Sequence, residues 1–213
     1  MPSRYAAVVA RQPVSLERTA APPGVDALAF VMAMLEDVVE VVSDLAGVLP
    51  ALVRSPPAWF DAGGLVWPGT PVIDLRPDEA PAATGALAGL AALGATEGVL
   101  VARDAPDLPQ LLLGKLFSAL SGADVAVCPA RGGGLVALAS RLPAPAWLSD
   151  TAVSVDTSDA VERLRLGAPA RRSLVVGPGW GRLRRPTDVS ALDMGLEGWD
   201  RTRTLLSGPA VRR

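Results

Sequence analysis

Residues 99–110, VLVARDAPDLPQ, decide the fold that we expect for this chain. The segment begins as a continuous apolar run, which is typical of a strand buried on both faces of a parallel sheet. It ends at Asp104, and Pro106 and Pro109 then indicate a turn that leads into a helix. In open α/β sheets, ligands bind beyond the carboxyl ends of the strands. Asp104 is therefore predicted to face a ligand or a metal ion.

Helix capping is the alternative role for the acids of this segment, because Asp is a common N-cap residue. We interpret Asp107 as a cap of the following helix and Asp104 as a site residue, with capping left open for both.

Strands and helices alternate along the chain on either side of this segment, which predicts a three-layer α/β/α fold with a mostly parallel, doubly wound sheet. We expect one domain over residues 1–206 and a frayed basic tail at 207–213. Beyond residue 140 the pattern is weaker and predicts a helix at 158–166, a strand at 173–177 and a short helix at 187–193. The predicted strands before it lie near 5–10, 48–53, 71–75, 98–103 and 123–128, and the predicted helices near 25–46, 80–94 and 109–121.

Composition excludes several classes of function. The 213 residues contain no histidine and one cysteine, so Cys/His metal sites and histidine-dependent nucleophiles are excluded, as is an internal disulfide. A net charge of −2 does not indicate the positively charged surface that binds nucleic acid, and no apolar run predicts a membrane segment. We expect a cytoplasmic protein with a small-molecule partner, and its oligomeric state stays open.

The longer segment 99–135, VLVARDAPDLPQLLLGKLFSALSGADVAVCPARGGGL, resembles the centre of a bacterial family of glycosyltransferase A-type domains. These are nucleotide-diphospho-sugar transferase-like proteins of largely unassigned activity, related to molybdopterin and phospholactate guanylyltransferases. The resemblance implies a nucleotidyl- or glycosyltransferase that binds a nucleotide or sugar nucleotide. It also implies that Asp104 is a catalytic residue that holds Mg²⁺, and that Pro106, Gly133 and Gly134 lie at the nucleotide.

The family's phosphate-binding loop corresponds to residues 8–19, VVARQPVSLERT. Arg11 stands where the family usually has lysine, and Arg18 lies where it has Lys-Thr-Arg. Both arginines are predicted to bind phosphate, because guanidinium groups pair with phosphate oxygens bidentately. Glu17 adds a charge that repels those oxygens. We expect Arg11 and Arg18 to lie near Asp104 in one crevice.

Two segments compete for the family's second metal ligand, which lies in an Asp-Val-Asp-Thr-Pro-x-Asp-Leu motif. Residues 183–192, LRRPTDVSAL, match its second half, and Arg182 and Arg184 then stand where the two leading aspartates should be. Residues 153–164, VSVDTSDAVERL, keep Val-Asp-Thr and offer Asp156 instead. We favour the first register, in which the two arginines contact phosphate.

The favoured register removes a carboxylate from the metal site, so Mg²⁺ binding is predicted to be weakened. Arginines also stabilise phosphate charge, so they are expected to replace part of the metal's role. Three hypotheses remain open. The protein is an active transferase with an arginine-assisted site, an inactive protein that binds nucleotides, or a scaffold that kept only the fold.

Overall fold

One seven-stranded sheet forms the centre of the computed structural model, which describes residues 3–12, 20–76 and 83–207. Six strands run parallel, and the sixth along the chain is antiparallel to both of its neighbours. The strands are β1 (Arg4–Arg11), β2 (Leu49–Ser55), β3 (Val72–Asp74), β4 (Glu97–Ala102), β5 (Val125–Pro129), β6 (Leu135–Arg141) and β7 (Leu174–Val176). Their spatial order is β3-β2-β1-β4-β6-β5-β7.

Helices cover both faces of the sheet, because alternate residues of each central strand point to opposite sides. The helices are α1 (Ala27–Ser43), α2 (Ala83–Ala92), α3 (Gln110–Ala119), α4 (Ala146–Asp150), α5 (Ala160–Gly167) and α6 (Asp200–Ser207), and 3₁₀ turns lie at Arg171–Ser173 and Pro186–Ala191. Val8 and Val101 pack with α1 and α3 on one face, whereas Ala7 and Leu100 pack with α2, α4 and α5 on the other. These layers confirm the predicted three-layer α/β/α class.

Strand β4 lies in the middle of the sheet, parallel to β1 and antiparallel to β6. Every residue from Gly98 to Ala102 is buried. The prediction that the opening segment forms an interior strand is therefore confirmed. Its carboxyl end, where Arg103 and Asp104 follow, lies beside the end of β1, since Val9 pairs with Ala102.

Strand β6 was not expected from the sequence. It forms a hairpin with β5 and inserts between β5 and β4, so the sheet is not wholly parallel. The connection contains Gly132, Gly133 and Gly134, all with positive φ. Its residues 135–140 are fully buried, so the strand lacks the alternation of polar and apolar residues that marks most antiparallel strands.

The C-terminal segment folds back over α1. Leu183, Leu192 and Trp199 pack against Phe30 and Met34 in a third apolar cluster. This packing fixes the segment that carries Arg182 and Arg184. The helix α6 continues to Ser207, and the rest of the predicted tail, 208–213, lies outside the described residues. Within the described ranges, no helix is both long and apolar enough to cross a membrane.

Candidate functional site

Three parts of the chain meet at the carboxyl ends of β1 and β4. Arg11 ends β1, and Arg103 and Asp104 follow β4. The Nε of Arg103 donates to the carbonyl of Arg11 at 3.0 Å. The amide of Leu183 donates to the carbonyl of Asp104 at 2.7 Å, which brings the segment after β7 to the same edge.

Arg182 lies at the centre of this site and is buried. Its guanidinium donates from Nε and Nη2 to the two carboxylate oxygens of Asp104, at 2.5 and 3.0 Å. The same Nη2 donates to Oδ1 of Asp156 at 2.7 Å. Its Nη1 donates to the carbonyls of Leu135 and Val155, at 3.0 and 2.8 Å. All five N–H groups of the guanidinium are thus engaged.

Two further arginines lie within 4.0 Å of the same carboxylates. Nη1 of Arg11 lies 3.6 Å from Oδ2 of Asp156, and Nε of Arg184 lies 4.0 Å from Oδ2 of Asp104. Together with Arg182 and Arg103, these residues form what we call the arginine–aspartate cluster. It consists of Arg11, Arg103, Arg182, Arg184, Asp104 and Asp156.

The charges of the cluster shift several of its pKa values. Burial alone would raise the pKa of Asp156, but the charge and hydrogen bond of Arg182, with help from Arg11 and Arg184, lower it. Burial disfavours the charged form of Arg182, yet Asp104 and Asp156 outweigh burial and raise its pKa. Burial lowers the pKa of Arg103, and burial together with the charge of Arg182 lowers that of Arg184. Arg182 therefore carries the best-compensated charge of these three arginines.

The glycine run before β6 packs against the cluster. A Cβ on Gly134, whose φ is +77°, would lie 2.8 Å from Nη2 of Arg184 and 2.8 Å from the carbonyl of Val155. A Cβ on Gly133 would lie 3.0 Å from the carbonyl of Ser158. Nη1 of Arg184 also donates to the carbonyl of Gly133 at 2.8 Å. In this structure the two glycines make room for Arg184 and for the segment that carries Asp156.

Asp107, in the turn after Asp104, does not have the capping role that the sequence predicted. Helix α3 is capped by the backbone of Pro109, with no side-chain cap, so the capping role of Asp107 is wrong. The helix begins later than that role requires, and Oδ1 of Asp107 instead accepts a hydrogen bond from Nε1 of Trp180 at 3.1 Å. Pro106 lines a cavity of about 390 Å³ against α1, whose walls include none of the cluster's arginines.

The structure brings together five residues that the sequence proposed. They are Arg11, Asp104, Asp156, Arg182 and Arg184. The two competing registers for the second metal ligand meet in space, because Arg182 from one binds Asp156 from the other. Arg18, like the rest of residues 13–19, lies outside the described residues. Arg103 was missed, although its place directly between a buried strand and Asp104 was a usable signal.

The carboxylates of the cluster do not fit a magnesium site as they stand. Both bind the guanidinium of Arg182, whose positive charge lies between them. Among the described residues, no group of three or more His, Cys, Asp or Glu side chains is arranged to hold a metal ion. A cation bound by Asp104 and Asp156 would have to displace Arg182.

Solved structures of several bacterial proteins have a similar fold. A Desulfovibrio desulfuricans G20 protein assigned as a nucleotide-diphospho-sugar transferase is 16% identical, with a TM-score of 0.72 over 99% of this chain and 93% of that one. Rv0371c of Mycobacterium tuberculosis H37Rv, solved with manganese, is 18% identical, with a TM-score of 0.55 over 98% and 100%.

A nucleotidyltransferase fold is also similar. CMP:2-keto-3-deoxy-manno-octonic acid synthetase, solved with CTP, is 14% identical, with a TM-score of 0.59 over 89% of this chain and 96% of that one. No protein-family model and no curated protein sequence matches the chain. These likenesses establish the nucleotide-diphospho-sugar transferase-like fold.

Proposed function

We propose that the protein binds a nucleotide or sugar nucleotide at the arginine–aspartate cluster, as a nucleotidyl- or glycosyltransferase-like protein. The observation that carries this proposal is the position of the cluster. It lies at the carboxyl ends of β1 and β4 in the middle of the sheet, where open α/β folds bind their ligands. A cytoplasmic setting and the absence of a nucleic-acid partner belong to the same proposal.

The charge of the cluster suits a phosphorylated ligand. Four arginines face two aspartates. The balance stays positive even when the half-buried carboxylate of Asp188, which accepts from the amide of Arg184, is counted. Guanidinium groups recognise phosphate oxygens through paired hydrogen bonds. Arg18, which lies outside the described residues, is proposed to add a further phosphate contact, and Pro106, Gly133 and Gly134 to border the ligand.

The similar fold that was solved with CTP supports a nucleotide as the ligand. A closer relation to the molybdopterin and phospholactate guanylyltransferases stays a proposal that rests on the sequence motifs of residues 99–135. Neither the similar fold nor the sequence motifs identify the base or the sugar of the ligand.

We propose that Arg182 takes the place of a metal ion in this site. A metal held by two carboxylates would neutralise phosphate charge, and a guanidinium fixed by the same two carboxylates supplies positive charge at that point. Asp104 and Asp156 then orient Arg182, and any Mg²⁺ binding is weak because it competes with this ion pair. In an active enzyme, Asp104 would be the catalytic residue and the metal ligand, with Asp156 as its partner after Arg182 is displaced.

A catalytically inactive nucleotide-binding or scaffold protein is the second candidate. The observation that favours it is that Arg182 hydrogen-bonds both carboxylates, so a metal ion held by the pair would have to displace it.

Calorimetric titration with GTP, CTP and UDP-glucose tests the proposal, followed by assays for nucleotide hydrolysis and transfer. We expect binding of at least one of these ligands, and Arg184→Gln should weaken it. Turnover that Asp104→Asn abolishes would support the transferase, and binding without turnover the inactive protein. If none of the ligands binds, the nucleotide proposal is wrong and the scaffold alternative stands.

A further inference from the structure

Arg103 differs from the other arginines of the cluster in making no ion pair within 4.0 Å to an acid of the described residues. Its Nε donates to the carbonyl of Arg11, a neutral acceptor. Its Nη1 is buried and has no hydrogen-bond partner. The ion pairs at the cluster are instead made by Arg11, Arg182 and Arg184. Part of this guanidinium therefore lacks an acceptor.

The acids nearest to Arg103 are already used by another residue. Asp104 follows it directly in the chain, but both carboxylate oxygens of Asp104 accept from Arg182. Asp156 accepts from Arg182 as well. A buried polar group without a partner is costly, and a charged one more so. The charges of Asp104 and Asp156 offset part of the cost of burying Arg103, but neither carboxylate accepts a hydrogen bond from it.

The place of Arg103 indicates what supplies the missing acceptor. It lies between the end of β1 and Asp104, at the edge of the sheet where ligands are expected. The cluster as a whole carries more arginines than aspartates, so the missing partner is an anion. A planar guanidinium with adjacent N–H groups matches the oxygens of phosphate better than a single-point cation does.

We propose that Arg103 is a phosphate-binding residue and that a phosphate or diphosphate group of the ligand accepts from its free N–H groups. The inference rests on the proposed function, which it deepens by naming a residue and the charged group it recognises. Arg182, by contrast, is saturated by protein acceptors and acts through its charge.

The test is calorimetric titration of the full chain with inorganic pyrophosphate and with GTP, both in EDTA. The variants are Arg103→Gln, Arg103→Lys and the control Arg171→Gln. The control removes the same charge from Arg171, an exposed residue just before the edge strand β7. Arg171 lies at the amino end of its strand, whereas the cluster lies at the carboxyl ends of β1 and β4. We expect Arg103→Gln to weaken pyrophosphate binding about tenfold or more, and Arg103→Lys to weaken it less. Arg171→Gln should leave it unchanged.

Thermal unfolding separates binding from a structural role. A buried guanidinium without a direct ion pair adds little to stability, because desolvation offsets its attraction to distant carboxylates. Arg103→Gln should therefore keep or raise the Tm while it loses pyrophosphate. A lower Tm with pyrophosphate binding within threefold of the parent protein would overturn the proposal. If the glutamine variant fails to fold, Arg103→Lys decides: weaker binding supports the proposal, and unchanged binding overturns it.

The two ligands separate this inference from the proposed function. GTP binding that Arg103→Gln leaves unchanged would overturn the role of Arg103 alone. A parent protein that binds neither GTP nor pyrophosphate would overturn both proposals.

Discussion

Arg182 contacts two carboxylates and two carbonyls through all five of its N–H groups, so a single side chain joins β4, the start of β6 and the segment before α5. A buried ion pair is weak evidence for stability in general, because desolvation offsets its attraction. Losing one member is different, since the other is left as an unpaired buried charge. Asp104 would be that charge here.

We therefore predict that Arg182→Met lowers the free energy of unfolding by about 3–5 kcal/mol, as expected for one partner removed from a buried pair. Urea denaturation measures this loss. Arg163→Gln is the matched control, because it breaks a pair with Asp159 that lies open to solvent, and it should change stability little. A loss for Arg182→Met no larger than for this control would contradict the structural role of Arg182.

The lowered pKa of Asp156 predicts a dependence of stability on pH. Its ordinary pKa is 3.8, and the folded state lowers it. Its contribution is therefore present above that value and is lost as pH falls through the lowered folded-state pKa. The parent protein should be more stable than Asp156→Asn at pH 7, and this difference should shrink below pH 4. Urea denaturation at both pH values checks it, and a constant difference would argue against the charge of Arg182 as the cause.

The loop between β5 and β6 depends on the backbone of its glycines. Gly132 and Gly134 both have positive φ, but a Cβ on Gly132 would meet nothing within 4 Å, whereas one on Gly134 would meet Arg184 and Val155. The two positions therefore separate the cost of a left-handed backbone from the cost of a clash.

We predict that Gly132→Ala costs about 1–2 kcal/mol from backbone strain. Gly134→Ala should cost roughly 1–3 kcal/mol more, because overpacking displaces Arg184 or the Val155 carbonyl. Thermal or urea unfolding of the two variants measures the difference. Equal losses would show that the segment at Val155 moves aside freely.

Helix α6 is held at its N-terminus by a residue of α1. The carboxylate of Asp37, which is buried, accepts from the amides of Arg201 and Thr202 at 3.1 and 2.8 Å. These amides are among the first N–H groups of the helix, which have no partner within it. Asp37 therefore acts as an N-cap from a distant part of the sequence.

Asp37→Ala is expected to lower stability by about 0.5–2 kcal/mol, the usual cost of a lost N-cap. The effect should be local, with faster amide hydrogen exchange in α6 than in β4. Asp44→Ala is the control, because Asp44 lies at the C-terminal end of α1 and caps by its backbone. Unchanged exchange in α6 would show that its packing on α1 is sufficient.

The molecule as a whole shows which features the sequence could predict. Parallel strands such as β4 and β5 were predictable, because burial on both faces makes them continuously apolar. The strand β6 was missed because its buried residues follow a glycine run that was interpreted as part of the site, and α6 because its residues are mostly polar. The contact of Arg182 with Asp104 spans 78 positions in the sequence. Only the folding of the C-terminal segment over α1 brings them together, and no local pattern encodes that.

The excess of arginines over aspartates in the cluster predicts that a nucleotide binds without a metal ion and that salt weakens its binding. If fixed arginines take the place of Mg²⁺, no metal–phosphate contact contributes to the binding free energy. The Kd for a nucleotide in EDTA should then stay within about threefold of the Kd with Mg²⁺. The Kd should rise with NaCl, since screening shortens from about 10 Å at 0.1 M to about 3 Å at 1 M and the site is partly open. Titration calorimetry across both series measures this, with Arg171→Gln expected to show the parent's salt dependence. Tight binding that requires Mg²⁺ would instead mean that the ligand and metal displace Arg182 and restore Asp104 and Asp156 as metal ligands.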